Sequence, residues 1–195
     1  MTSTPFDRDA LGTGRTRLVA LEVSLADALL KTFADERVWR WMPAAKPAGS
    51  AEMLEWIAVW QDRRASGWGI AFAIECDGAI VGSTSLYDYQ PANASAEAGW
   101  TWLQPSVWGT GVNRDAKVVL YDYAFNDLGL GRLGVRTDNL NTAAQRSLDS
   151  LGLHREGVLR RHIRRPDGTM RDSVYYSVLA DEWPRLRASW LSRAG

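Results

Sequence analysis

The sequence predicts an α/β fold, a single domain over 1–195 in which helices flank a mixed sheet. Three observations predict it. Segments of alternating apolar and polar residues, the period of a strand, are interleaved with segments of helical period. Two strand-like stretches turn back on their neighbours at Asp77-Gly78 and at Pro166-Asp167-Gly168, so part of the sheet is antiparallel. Another strand-like stretch, 96–103, feeds a glycine turn and then a strongly amphipathic helix, which passes the chain from the sheet to a covering layer.

Taken in order, 1–14 reads as a flexible N-terminal segment, and 16–23 (TRLVALEV) alternates as the first strand. Ser24 is placed to cap a helix that runs to about Phe33. A loop rich in Pro, Ala and Gly covers 42–49. Ser50 is placed to cap a second helix, with Met53, Ile57 and Trp60 or Gln61 on one face and Gly67 as its stop. The strands 68–75 and 79–87 form the hairpin around Asp77-Gly78, and 96–103 is the next strand. From about 112, Ala116, Val119, Leu120, Tyr123, Ala124 and Leu128 recur at helical spacing, which leaves Arg114, Asp115, Lys117 and Asp127 on the outside. A short strand (133–137), a helix (139–150), two strands joined by a hairpin (153–163 and 173–179) and a last helix (181–191) complete the chain. There is no internal repeat and no interdomain linker.

Composition limits the function. The 23 Lys+Arg balance 23 Asp+Glu, which argues against a protein built to grip nucleic acid. With one cysteine, Cys76, an internal disulfide is excluded, and its apolar setting reads as a small buried hydrophobe. His154 and His162 are the only histidines, so a zinc site of His/Cys type is not expected, and no metal is. The polar N-terminus lacks a signal-type apolar stretch, and no run approaches the roughly 20 apolar residues of a membrane span. The expectation is a cytoplasmic protein with no membrane contact; a homodimer is left open.

Ser106 to Gly111 is the stretch that points to chemistry. A Gly-x-Gly turn entering a helix exposes unpaired backbone N–H groups at the positive end of the helix dipole, a setting that suits phosphate. Gly109 and Gly111 let backbone approach a pyrophosphate with no Cβ in the way. A P-loop is excluded because Val112-Asn113 follows Gly111 where Lys-Ser/Thr is needed. The dinucleotide fingerprint is excluded because position 114 is Arg, not Gly, and because hairpins precede the loop.

In this order and spacing the chain resembles the GNAT superfamily of acyl-CoA-dependent N-acyltransferases, in the branch of the ribosomal-protein N-terminal acetyltransferases. The resemblance rests on Glu97-Ala98-Gly99-Trp100, on Trp108-Gly109-Thr110-Gly111, on Asn113 to Lys117, on Asn141 followed by Leu151-Gly152-Leu153, and on Glu156 to Arg160 with 172–179. It implies a mostly antiparallel central sheet whose fourth and fifth strands splay apart around the pantetheine arm of acetyl-CoA or another acyl-CoA. By the same resemblance, backbone of Trp102 and Leu103 pairs with pantetheine. Amides from Trp108, Gly109, Thr110, Gly111, Val112, Asn113 and Arg114 hold the pyrophosphate, and Asn141 contacts pantetheine or a water.

The acceptor, a small-molecule amine or a protein N-terminus, is expected over the N-terminal helices. Trp39, Trp41, Trp56 and Trp60 either line its pocket or pack the helices on the sheet. The amine attacks the thioester directly in a ternary complex, without a covalent enzyme intermediate. A donor such as succinyl-CoA, or a non-catalytic acyl-CoA-binding regulator, are the rival readings. Glu97 is the candidate general base, acting through a water; the alternative is a strand-surface carboxylate paired with an arginine. The chain departs from the family at Ser106, where relatives carry Gln or Arg. It departs again at Leu148, where many carry the tyrosine general acid, and at Ala144, where the ribosomal branch carries Ser. Ser147, a tyrosine from elsewhere, or water is left to protonate the thiolate. The arginines at 155, 160, 161, 164, 165 and 171 are read as a solvated hairpin face, with coenzyme phosphate, an acidic acceptor or RNA as alternatives.

Overall fold

The computed structural model describes residues 4–12 and 14–192. Eight strands form one sheet in the order β1-β2-β3-β4-β5-β6-β8-β7. They are β1 (Ala10–Leu11), β2 (Thr16–Ala20), β3 (Gly69–Cys76), β4 (Ala79–Gln90), β5 (Ser95–Leu103), β6 (Arg132–Asp138), β7 (His154–Arg164) and β8 (Met170–Leu179). Every neighbouring pair is antiparallel except β5–β6. The helices are α1 (Ala26–Thr32), α2 (Glu36–Trp39), α3 (Ser50–Ala65), α4 (Val112–Asp122), α5 (Thr142–Ser150) and α6 (Trp183–Ser192).

Strand periodicity sorts the core into two layers. In β3, Ile70, Phe72 and Ile74 face a cluster shared with α4 and α6, while Ala71 and Ala73 face α1 and α3. Both faces of the central strands are therefore covered, and β3 reads as a nearly continuous apolar run. Trp60 and Trp190 are the largest fully buried side chains, one in each layer.

Four local expectations are corrected. The segment expected to be free, 1–14, is packed over its described residues: Phe6 is buried, and Leu11 pairs with Leu18 on β2. Burying a phenylalanine is worth about 1.5–3 kcal/mol, enough to hold a short segment. Ser24 caps nothing; a 3-10 turn over Val23–Leu25 leads into α1, whose N-cap is Leu25. Ser50 lies inside α3, whose N-cap is Gly49, and its hydroxyl donates to Asp27 Oδ1 at 3.1 Å. Lys117 is buried rather than outside. It stands one turn after Asn113, so α4 has a second inward stripe beside Ala116 and Leu120.

A crevice between parting strands

The β5–β6 pairing sets the site. The two strands are in register from Ser95↔Arg132 to Ala98↔Val135, and no pairs follow. On its other edge β5 stays joined to β4, but the register shifts between Ser85↔Gly99 and Ser83↔Trp102. Trp100, at that shift, has a φ of 50°, a left-handed conformation that costs a residue with a Cβ about 1–2 kcal/mol. Thr84 and Thr101 hydroxyls meet at 2.8 Å across the bulge. The edge of β5 beyond Ala98 is thus left open toward a crevice.

The crevice is a cavity of about 330 Å³. Its α4–α5 side carries Asn113, Lys117, Asn141 and Ser147; its other side carries Trp41, Met42, Pro43, Ile163 and Arg171. Asn113 Oδ1 is buried with no partner among the described residues. Asn141 Oδ1 caps α5 by accepting from Ala144 N at 3.1 Å. Leu148 closes the wall where a hydroxyl was missing from the sequence. Burial pushes the Lys117 ammonium down to about 8.

The glycine loop stands at the entry to α4. Gly109 and Gly111 have φ of 75° and 89°, a region open to glycine at little cost. Among the described residues the N–H groups of Gly109, Gly111, Val112 and Asn113 make no hydrogen bond within the protein. Four free donors at a helix start are what an anion requires. The loop is braced by side chains: Trp108 Nε1 donates to Leu103 O at 2.7 Å, and Thr110 Oγ1 to Val107 O at 2.7 Å. Arg114 is turned onto Asp115 at 3.0 Å.

Of the other residues singled out in the sequence, Trp102 and Leu103 send their side chains into the core. Trp102 Nε1 donates to Thr32 Oγ1 at 2.8 Å and Leu103 O accepts from Trp108 Nε1; neither residue lines the crevice, whose β5 wall runs from Ala98 to Thr101. The tryptophan group divides. Trp41 lines the crevice, and Trp39 lines an adjoining cavity of about 250 Å³. Trp56 and Trp60 pack edge to face at 6.1 Å in the core layer beneath α3, and neither lines these cavities.

Glu97 takes the paired arrangement. Its Oε2 accepts from Tyr87 OH at 2.8 Å and faces Arg136 Nε at 3.1 Å. Arg136 in turn donates to Tyr175 OH at 2.9 Å. Burial and the Glu97 charge push the Tyr87 hydroxyl well above its ordinary value, so it is a neutral donor. His162 is pushed down by burial and by Arg136 and Arg171, which keeps it neutral near pH 7. Tyr87 and Arg136 line the crevice; Glu97 stands behind them. Tyr87 and Arg136 carry no sequence signal, because each lies on a strand far along the chain from the glycine loop; Lys117 falls within the Asn113-to-Lys117 motif but reads as surface. Among the described residues no group of His, Cys, Asp and Glu is arranged to hold a metal, and no helix is long and apolar enough to cross a membrane.

Comparison with known proteins adds three likenesses and a family. Residues 15–154 match the model of the acetyltransferase (GNAT) domain. The N-acetyltransferase p20 of Bacillus licheniformis, itself uncharacterised, is 28% identical over 90% of this chain and 98% of its own length. The Bacillus subtilis (strain 168) protein YdaF, provisionally described as a ribosomal N-acetyltransferase, is 28% identical over 82% of this chain and 86% of its own. The structure of Mycobacterium smegmatis RimJ in complex with CoA-disulfide superposes with a TM-score of 0.85 at 25% identity, covering 96% of this chain and 95% of that one.

Proposed function

This chain belongs to the acetyltransferase (GNAT) domain family and is an acyl-CoA-dependent N-acetyltransferase, and we propose how its crevice performs the transfer. The observation that carries the reading is the coincidence of four free N–H donors at the start of α4 with an open β5 edge that leads away from them. The donors fit a pyrophosphate, and the edge fits the two amides of a pantetheine arm. Asn113 Oδ1, buried and unpartnered on the wall between them, fits a donor group of the same arm. The thioester then lies near the Trp100–Thr101 bulge, where backbone N–H turned out of the ladder stabilises the oxyanion. The amine enters from the Trp41–Pro43 side and attacks directly.

The acceptor is a primary amine. The description carried by YdaF and the RimJ likeness support a protein N-terminus as one such acceptor. An α-amino group has a pKa of about 7.7–8.0, so a sizeable fraction is already unprotonated at neutral pH and no strong base is needed. Glu97, held by Arg136 and Tyr87, suits a positioning role: its charge keeps both on the crevice wall. Glu97→Gln keeps a hydrogen-bond acceptor and removes the charge. Its turnover is expected to fall by less than about tenfold, with acetyl-CoA affinity unchanged. A loss of about 10²–10⁴-fold that grows as pH falls would instead make Glu97 the base.

Thiolate departure is also undemanding. A thiol of this kind has a pKa of about 8.5, and the Lys117 cation on the same wall favours the charged form. Ser147→Ala is therefore expected to lose less than about tenfold in turnover, measured as thiol release under saturating acetyl-CoA. A thousandfold loss in a folded, coenzyme-binding variant would make Ser147 the acid. Thiol release across a panel of amines tests the reading as a whole; coenzyme binding without turnover on any of them would leave an acyl-CoA-binding regulator. Acetyl-CoA and succinyl-CoA as alternative donors test the acyl group.

A further inference from the structure

The arginines of 155–171 are not one surface. Arg155, Arg160, Arg161 and Arg164 are exposed. Arg165 commits its guanidinium to Asp138, with contacts of 2.7 and 2.9 Å. Arg171, at the start of β8, is 5% exposed. Its Nε donates to Ser173 Oγ at 3.0 Å, and among the described residues its two Nη groups have neither a hydrogen bond nor an ion pair. They are not sealed in the core either, since Arg171 lines both cavities together with Trp41, Met42, Pro43 and Ile163.

Asp138 acts on Arg171 only at longer range, and a buried guanidinium without a directly bonded anion is costly to keep, because desolvation is offset only by a well-placed opposite charge. Among the described residues no carboxylate forms an ion pair with Arg171, although Glu36, Asp138 and Asp167 line the smaller cavity with it. Asp138 is taken by Arg165 and by Leu140 N at 2.9 Å. Glu97 is taken by Arg136 and Tyr87. The larger cavity is lined by three basic side chains, Lys117, Arg136 and Arg171, and by no acidic one. Among the described residues only Arg136 of these has a carboxylate partner. The planar fork of arginine matches a carboxylate in two-point contact. Its position also selects the source: Arg171 is on β8 beside the Trp41–Pro43 segment, while the glycine loop, Asn141 and Ser147 belong to the α4–α5 side.

We infer that Arg171 binds a carboxylate of the acceptor, so that the amine acetylated here carries an acid group close to it. This deepens the acyl-transfer reading of the same crevice and rests on it. The carboxylate is either the α-carboxylate of a free amino acid or an Asp or Glu side chain next to a peptide's N-terminus.

The full chain is assayed with acetyl-CoA by thiol release against matched pairs: amino acids and their amides, and peptides beginning Ser-Asp or Ser-Asn. At least one pair should favour the acid in kcat/KM by about 10–100-fold, the range of a charge-assisted contact. Arg171→Met should bring that ratio near one, and Arg171→Lys should restore part of it. The melting temperature of Arg171→Met should equal or exceed the parent's, because an unpaired buried charge is removed. Equal use of acid and amide in every pair by the parent chain overturns the inference even if the variant fails to fold. So does an acid preference that survives in Arg171→Met. A preference for succinyl-CoA over acetyl-CoA that Arg171→Met abolishes, with acid and amide acceptors used alike, also overturns it and gives Arg171 to the acyl group. Thiol release with amides alone leaves the acyl-transfer reading standing, whereas no release with any amine removes that reading and the inference with it.

Discussion

Arg165→Met is expected to destabilise the protein by about 3–5 kcal/mol, the cost of leaving a buried carboxylate without its partner. Asp138 ends β6 and its side chain is 2% exposed. Burial pushes its pKa up, but the Arg165 contacts and the Leu140 N–H outweigh that, and the carboxyl is held below its ordinary value. A depressed pKa contributes stability that is present above the unfolded value, about 3.9, and is lost as pH falls through the folded one. In Arg165→Met the carboxyl is no longer held down, and protonation relieves the buried charge. The gap between variant and parent should therefore be widest near pH 7 and narrow toward pH 4. For a chain of this length each kcal/mol moves the melting temperature by roughly 2–4 °C. Scanning calorimetry at both pH values checks this. A gap below about 1 kcal/mol at pH 7 would show that water or Arg171 replaces Arg165. The second case has its own signature, since an Arg171 recruited to Asp138 is lost to the crevice. The consequence extends to the site, because Asp138 O accepts from Asn141 N at 3.0 Å and so sets the start of α5.

The parts of this arrangement that were legible in the sequence are those in which neighbouring residues decide. Asp77-Gly78 closes β3–β4 because both residues take positive φ there, at 51° and 80°. The Gly109 and Gly111 turn was legible for the same reason, and with it the start of α4. The implied parting of the fourth and fifth strands corresponds to β5 and β6, since β1 adds a strand at the edge. What was not legible depends on distant partners. Lys117 reads as surface because it is charged; it is buried because the parting strands leave space beneath α4. Arg171 is hidden in a run of six arginines, and only the fold shows that it is buried without a direct ion pair while four are exposed and Arg165 is bonded to Asp138. Trp56 and Trp60 share a helix with a regular apolar stripe, and that stripe faces the sheet rather than a pocket. Asn141 is partly legible: its capping bond to Ala144 N is local, whereas the cavity it borders is made by β5, α4 and the Trp41–Pro43 segment.

Gly111→Val is expected to weaken acetyl-CoA binding by at least tenfold, about 1.4 kcal/mol, in a protein that still folds. Two effects add. Gly111 holds a φ of 89°, which a β-branched residue adopts only with strain, so the turn relaxes and its N–H groups lose their common direction. A Cβ there would also meet Arg114 Nη2 at 2.9 Å. That contact alone is mild, since the end of a flexible side chain can move away; the conformational term therefore dominates. Gly109→Ala separates the two, because a Cβ at Gly109 meets nothing within 4 Å while its φ of 75° is equally strained. If strain is the cause, Gly109→Ala should also lose affinity, by about 1–2 kcal/mol or less, with no steric conflict to account for it. Isothermal calorimetry on folded variants reads both. Unchanged affinity in Gly111→Val would mean that the four free N–H groups do not hold the pyrophosphate, and the donor would have to be placed elsewhere along the open edge of β5.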